Sequence, residues 1–412
     1  MKNTSLPIEI QNQFISLELK EKVRFLSNYY FEQVVQYRRH IHRYPDLSGQ
    51  EGATASFVCR CLQDMGLSVQ YPVAGHGVVA CITGFLPGRR CVALRADMDA
   101  LPLQEHTGTD YASCRPGIMH ACGHDAHTAM LIGSLLILNT LKNSFGGTIK
   151  AIFQPSEEEY GGGAPEMIEA GILHNPEVDV IFGQHVTPGL SSNCVGFREG
   201  AFMASTDEIH LTIHGKGGHA ALPAETINPV PAGVAIVQGI QDFVQTHAPK
   251  DTPTVQNFGK FIANGRANLI PDTAELSGTL RTFDEIWREK VLNYINAFAQ
   301  ETARKMGCIC EVDIRRGYPV LYNSPEVTSR AKKEAETYLG KHNVTALPTR
   351  MTAEDFAYFL QEKQGVFWRL GSTGDNKNTT FPLHNSQFDI DENALKTGMG
   401  LMAWIALAEL CR

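Results

Sequence analysis

The segment His120-Ala121-Cys122-Gly123-His124-Asp125-Ala126-His127 packs three imidazoles, a thiol and a carboxylate into eight residues. Imidazole, thiolate and carboxylate are the side chains that bind transition-metal ions, and a glycine among them lets the backbone turn. The plain alternative is a capping turn whose histidines are merely polar. A lone histidine would favour that reading; five candidate ligands at this density do not. The apolar run that follows at once, Ala129-Met130-Leu131-Ile132 and then Leu135-Leu136-Ile137-Leu138, reads as a buried helix. The cluster is therefore expected where a helix begins, held by a rigid element.

A second concentration, Gln154-Pro155-Ser156-Glu157-Glu158-Glu159, directly follows an expected strand. Carboxylates in a row repel unless something positive faces them, and strand ends are where open α/β sheets place their ligands. Adjacent side chains diverge, so one glutamate can bind a metal while its neighbour faces an attacking water. Metal-assisted hydrolysis needs that division of labour. Taken by itself, the segment reads as a solvated acidic turn.

Asp97-Met98-Asp99, after the buried run Val92-Ala93-Leu94, puts two carboxylates on one face of an extended segment. Asp99 could hold a histidine ligand in its tautomer, as a supporting carboxylate does; a polar turn ending the strand is the alternative. His185 closes the run Val180-Ile181-Phe182-Gly183-Gln184, and His384 lies in Phe381-Pro382-Leu383-His384-Asn385. Each alone is an ordinary histidine. They matter only if the fold brings them to the cluster.

The elements that must do this alternate along the chain. Leu19 to His42 is helical in pattern and stopped by Tyr44-Pro45-Asp46, and a second helix runs from Gly52 to Met65. Leu67–Tyr71, Gly77–Gly84, Cys91–Arg95, Thr148–Phe153 and Val178–Phe182 read as strands, giving an α/β sheet covered on both faces. The character changes near Phe197–Ser205. Strand Asp207–His214, helix Pro229–Thr246, strands Val255–Ile262 and Thr273–Thr282, helix Ile286–Met306 and strand Ile309–Arg315 follow the order of a ferredoxin-like sandwich. Ser324–Leu339, Ala353–Gln361, Gly365–Leu370 and Asn393–Leu410 then resume the first alternation. The expected fold class is α/β, with one domain of residues 1–198 and 314–412 and an inserted α+β domain of residues 199–313.

Length and composition bound the rest. A chain of 412 residues exceeds one usual hydrophobic core, so two domains are the default. A net charge of −8 without a Lys/Arg-rich run argues against nucleic acid or an anionic membrane as partner. No segment approaches the ~20 apolar residues of a membrane span, and Met1 to Lys20 is polar with no signal-peptide core. The ten scattered cysteines read as reduced, which points to the cytoplasm. The early end of the chain is the piece expected to be least ordered.

In these residues the chain resembles the aminoacylase, hippurate hydrolase and auxin–amino-acid conjugate hydrolase family of two-metal amidohydrolases and peptidases. The matching motifs are Arg39–Glu51, Ala93–Pro102, His120–Met130, Phe153–Glu159, Gly183–Val186, Gly215–Pro223, Asn268–Asp272, Thr279–Thr282, Ala353–Tyr358 and Pro382–Asn385. They cover nearly the whole chain in order; none is specific alone, but together they are.

The resemblance implies a two-metal centre in which Cys122 bridges the ions and His124, Glu158, His185 and His384 fill the remaining protein positions. It assigns Glu157 as general base, and treats Asp97 and Asp99 as supporting residues, because this chain has Asp97-Met98-Asp99 where other relatives carry His-x-Asp. It further implies a lid that also forms a dimer interface. From there His219 would reach the partner's site to stabilise the oxyanion, while Asn268 and Arg281 hold the substrate carboxylate.

A thiolate with imidazoles suits zinc, and the added carboxylate admits manganese or cobalt. The resemblance, to a branch usually associated with manganese, makes two Mn²⁺ the expectation, with Zn²⁺ or Co²⁺ as alternatives. The expected activity is hydrolysis of the amide bond of an N-acyl amino acid, by a homodimer or larger homo-oligomer. The rivals are a small-peptide dipeptidase or aminopeptidase on the same scaffold and a silent relative that only binds an amino-acid-like ligand.

Overall fold

The computed structural model describes residues 18–375 and 377–412; the early end of the chain, expected to be least ordered, lies largely outside them. Helices α1 (Leu19–Tyr29) and α2 (Phe31–Arg43) stand where the sequence suggests one, because the backbone at Tyr30 (φ −87°, ψ −3°) departs from regular helical torsions. Pro45 forbids continuation past α2. Helix α3 (Gly52–Asp64) starts where the Asp46 carboxylate accepts the Thr54 N–H at 2.8 Å. Strands β1 (Val69–Val73), β2 (Gly77–Thr83) and β3 (Leu86–Asp97) follow. Helix α4 (His124–Thr140) is apolar all round and buried from His124 through Leu138, the pattern of a helix inside a core.

Strands β4 (Gly146–Gln154), β5 (Val180–Ser191) and β6 (Val195–Phe197) complete the first part of the chain. Then come β7 (Asp207–His214), α5 (Pro229–His247), β8 (Thr254–Ile262), β9 (Thr273–Thr282), α6 (Glu285–Lys305) and β10 (Ile309–Arg316). The last stretch forms α7 (Pro325–Leu339), β11 (Val344–Ala346), β12 (Gly365–Thr373) and α8 (Asn393–Leu410). No helix among the described residues is long and apolar enough to cross a membrane.

The chain divides into two compact units. The first takes in the residues up to Gly200, Asn323–Pro348 and Tyr358–Arg412. Its sheet has the order β1-β2-β4-β3-β5-β12-β6-β11. The centre is parallel (β4 with β3, β3 with β5, β5 with β12), while β1–β2, β2–β4 and β12–β6 are antiparallel. Central strands flanked on both faces need continuous apolar runs, and Cys91–Leu94 and Val180–Phe182 supply them, all buried. From β3 the chain crosses to β4 on one side and then to β5 on the other, so the strand order reverses at β3. Such reversals open a crevice at the carboxyl ends of the strands. Strand β5 is longer than the run Val178–Phe182 suggests, since its polar second half keeps pairing with β12 as far as Ser191. His185 therefore lies within the sheet rather than beyond it.

The second unit takes in Ala201–Tyr322 and Thr349–Ala357. Its antiparallel sheet, order β8-β9-β7-β10, carries α5 and α6 on the face where Ile209, Leu211 and Ile213 meet Ile236, Ile240, Val291 and Ile295. This is the ferredoxin-like order. The sequence boundary after residue 313 would cut β10, which pairs with β7 from Ile309 through Arg316; the insert therefore extends to Tyr322. Thr349–Ala357 joins it because the Arg350 N–H donates to Phe202 O and the Met351 carbonyl accepts from Arg281 Nη1 at 3.0 Å.

Candidate metal centre

Parallel register brings the donors to one edge of the first unit. Asp97 pairs with Gln154, and Arg95 pairs with Gly183, which sets His185 level with Asp97. The loop into α4 meets this edge. Gly123 takes φ +86°, and a Cβ there would come within 2.4 Å of Val186 Cγ2, so only glycine turns the chain from Cys122 into His124 at this point. His384 arrives from the far end of the chain, with its backbone N–H on Ala121 O at 2.8 Å and φ +61°.

Of the donor groups among the described residues, two triads share the Cys122 sulfur. Cys122, His124 and His185 form the first; Cys122, Glu158 and His384 form the second, with the ligand atoms in each within 4.8 Å of one another. Cys122 Sγ lies 3.4 Å from His185 Nε2, and Glu158 Oε1 lies 3.2 Å from His384 Nε2. Ligand bonds of 2.0–2.3 Å put neighbouring donors roughly 3.3–3.7 Å apart, so these are separations an ion can span.

The imidazoles are oriented from behind. His185 Nδ1 sits 2.7 Å from Val186 O, which makes it the protonated nitrogen and leaves the Nε2 lone pair facing the thiol. His124 Nδ1 sits 3.1 Å from Asp99 Oδ1, while its Nε2 is buried without a hydrogen-bond partner. A buried nitrogen left open in the middle of a donor set is what a metal ligand looks like before the ion is added.

The electrostatics agree. Burial and then the charges of Glu158 and Glu157 push the Cys122 thiol far above its ordinary range. Burial disfavours charge on His124, but Asp97, Asp99 and Glu158 outweigh it and lift the ring to about 10. The hydrogen bond to Glu158 raises His384. Negative charge in excess around a thiol is a setting a dication would relieve.

Glu157 stands beside both triads. It is buried, with Oε2 at 3.9 Å from His124 Nε2, and donor atoms of Glu157, His124 and Glu158 lie within 4.8 Å of one another. The turn that delivers it is strained: Ser156, just before it, has φ +59°. Non-glycine residues in this region cluster at functional sites.

Two histidines of the opening cluster stand outside these two triads. His127 is used at both nitrogens, Nδ1 at 2.6 Å from Asp97 Oδ1 and Nε2 accepting the Val186 N–H at 2.9 Å. It steadies the strand that bears His185. His120, fully buried near His42, belongs to none of the donor groups among the described residues. Behind them lies a network that single residues did not reveal. Arg38 donates to Asp125 Oδ2 and Asp389 Oδ1, each at 2.7 Å, and His42 links Asp125 to Glu105. The network fastens α2 to the first turn of α4. Its sequence signals are Asp125 in the opening cluster and the basic residues Arg38, Arg39, His40 and His42 within a helix.

The other expected residues lie in the second unit. His219 is exposed on a short strand whose partner is Leu269, and Asn268 is exposed beside it, its carbonyl accepting the Ala220 N–H. Arg281 is half-buried on β9, and burial lowers its pKa.

Residues 93–408 match the model of peptidase family M20/M25/M40. The chain is 37% identical over 393 residues to thermostable carboxypeptidase 1 of Saccharolobus solfataricus, covering 95% of this chain and 98% of that one. It is 39% identical over 308 residues to the N-acyl-L-amino acid amidohydrolase of Geobacillus stearothermophilus, covering 74% and 82%. Among solved structures, the Bacillus subtilis YXEP protein, described as a dinuclear metal binding peptidase from the M20 family, superposes with a TM-score of 0.78 at 32% identity, over 93% of this chain and 99% of that one.

Proposed function

The chain belongs to peptidase family M20/M25/M40 and is a hydrolase of amide or peptide bonds, and from that premise we propose that it cleaves the amide of N-acyl amino acids at a two-metal centre. The observation that carries the reading is Glu157 beside two donor triads that share Cys122. The named relatives narrow the substrate by shared chemistry. A carboxypeptidase and an N-acyl-amino-acid amidohydrolase both cut an amide whose nitrogen belongs to an amino acid with a free carboxylate.

In this proposal Cys122, His124, His185, Glu158 and His384 hold two Mn²⁺, with Zn²⁺ or Co²⁺ as alternatives. When bound, the pair supplies Lewis acidity for the scissile carbonyl and for water. Glu157 takes the proton from the attacking water and delivers it to the leaving amine nitrogen. Asp99 holds His124 in the tautomer that presents Nε2. Arg281, with Asn268, pairs with the substrate carboxylate, a task that suits a planar guanidinium. His219 stabilises the oxyanion in the site of a partner subunit.

The test is release of free amino acid from N-acetyl and N-benzoyl amino acids, measured with metal content. Close to two ions per chain and release abolished by chelator are expected. Metal without turnover across a broad panel would sink the substrate assignment. Mixing Glu157→Gln and His219→Ala proteins probes the shared site: exchange into hybrid dimers should regain activity that neither has alone. Hybrids as inactive as their parents would refute the role given to His219.

A further inference from the structure

Glu51 occupies the N-cap of α3, yet its carboxylate does not cap that helix; Asp46 does so through Thr54. Fully buried, Glu51 turns instead to the strand end that carries the site. Its Oε1 accepts the Ser156 N–H at 2.8 Å and the Gly49 N–H at 3.0 Å, while the Gly49 N–H also reaches Ser156 Oγ at 2.9 Å. Both residues it gathers are left-handed, Gly49 at φ +72° and Ser156 at φ +59°.

Glycine takes that conformation freely; serine does not, and must be held there. The next residue is Glu157. The same loop also holds the residue after it: Ser48 Oγ donates to Asp99 Oδ2 at 2.7 Å, and that oxygen accepts the Glu158 N–H at 2.8 Å. The loop Ser48–Glu51 thus holds the positions on either side of Glu157, Ser156 directly and Glu158 through Asp99.

We propose that Glu51 is a positioning residue for Glu157: its Oε1 keeps Ser156 left-handed, and this aims the base. The inference rests on the role given above to Glu157. Only the acceptor oxygen is needed. Glu51 Oε2 is buried without a hydrogen-bond partner, and burial raises the carboxyl to about 7. An amide that keeps the oxygen should therefore serve.

The experiment compares metal-loaded Glu51→Gln, Glu51→Ala and Glu51→Asp with wild type for kcat, KM and metal content, and adds a crystal structure of Glu51→Ala. Glu51→Gln should stay within about threefold of wild-type kcat. Glu51→Ala should lose about a hundredfold in kcat, as small misplacements of reacting groups do, with KM and metal content little changed. Glu51→Asp, whose shorter side chain withdraws the acceptor, should fall likewise and carries the test if the alanine variant does not fold. In the crystal, Ser156 should leave the left-handed region and the Glu157 carboxylate should turn from His124. Unmoved Ser156 and Glu157, or a loss of kcat that tracks lost metal, would overturn the assignment. If wild type proves inactive on N-acyl amino acids while the displacement is seen, the substrate reading fails and the positioning role stands.

Discussion

Asp99 Oδ1 stands 3.1 Å from His124 Nδ1, and both side chains are fully buried. Burial alone would raise the Asp99 carboxyl, but the hydrogen bond to His124 and the Glu158 N–H hold it below the ordinary range. One carboxylate thereby orients two proposed ligands, the ring of His124 through Oδ1 and the backbone of Glu158 through Oδ2.

Replacing Asp99 by Asn keeps the shape and removes the anionic acceptor that fixes the tautomer. Metal affinity should drop on the order of ten- to a hundredfold, the usual effect of losing such a supporting partner. Competition with a chelating dye measures it. Wild-type affinity in Asp99→Asn would show that His124 needs no help from behind.

Glu157→Gln preserves volume and leaves the donors of both triads intact. It should bind the full complement of metal and lose roughly 10²–10⁴ in kcat, the range for a general base. Activity near wild type would remove Glu157 from the mechanism.

Gly123→Ala forces a side chain onto φ +86° and sets a Cβ 2.4 Å from Val186 Cγ2. Left-handed strain and overpacking together should destabilise the protein by on the order of 2–4 kcal/mol. Urea unfolding reads the change directly. A loss under about 0.5 kcal/mol would mean that Val186 yields freely to the added methyl.

The buried network predicts an alkaline weakness. Burial and Arg38 push His42 down, but Asp125 and Glu105 outweigh them and raise it from 6.5 to about 9. A raised histidine favours the protonated form in the fold. Its contribution is complete below pH 6.5 and disappears as pH rises through about 9; from those two values it is on the order of 3 kcal/mol. The partners run the other way, because Asp125 and Glu105 are lowered and lose their contribution only in acid. Unfolding free energies at pH 6, 7.5 and 9.5 should fall more steeply for wild type than for His42→Gln. Parallel profiles would show that His42 is not the group responsible.

Local spacing determined much of the site. Cys122 and His124 flank a glycine at the start of an apolar run, and that pattern alone makes a rigid helix present them together. Glu157 and Glu158 follow an apolar strand, so their place at a strand end was also legible. The order of strands and helices in the second unit was equally plain, because alternation with period two or 3.6 is a property of neighbouring residues.

Convergence was legible only through the family resemblance, never from local pattern. His185 reaches Cys122 only because β5 lies parallel to β3 in a register that no local pattern encodes, and His384 only because its N–H meets Ala121 O across more than half the chain. The same holds for exclusion: His120 and His127 look like ligands in the sequence, yet His127 is spent on Asp97 and Val186, and His120 joins no donor group among the described residues. Ser48 and Glu51 lie in the motif Arg39–Glu51, but their task was not legible there, since a serine and a glutamate in a loop are ordinary until the fold presses that loop against the turn at Ser156. Residue types and spacing decide which chemistry is available. Parallel register and long-range backbone hydrogen bonds decide which of those residues face one point, because those distances are set through space and not along the chain.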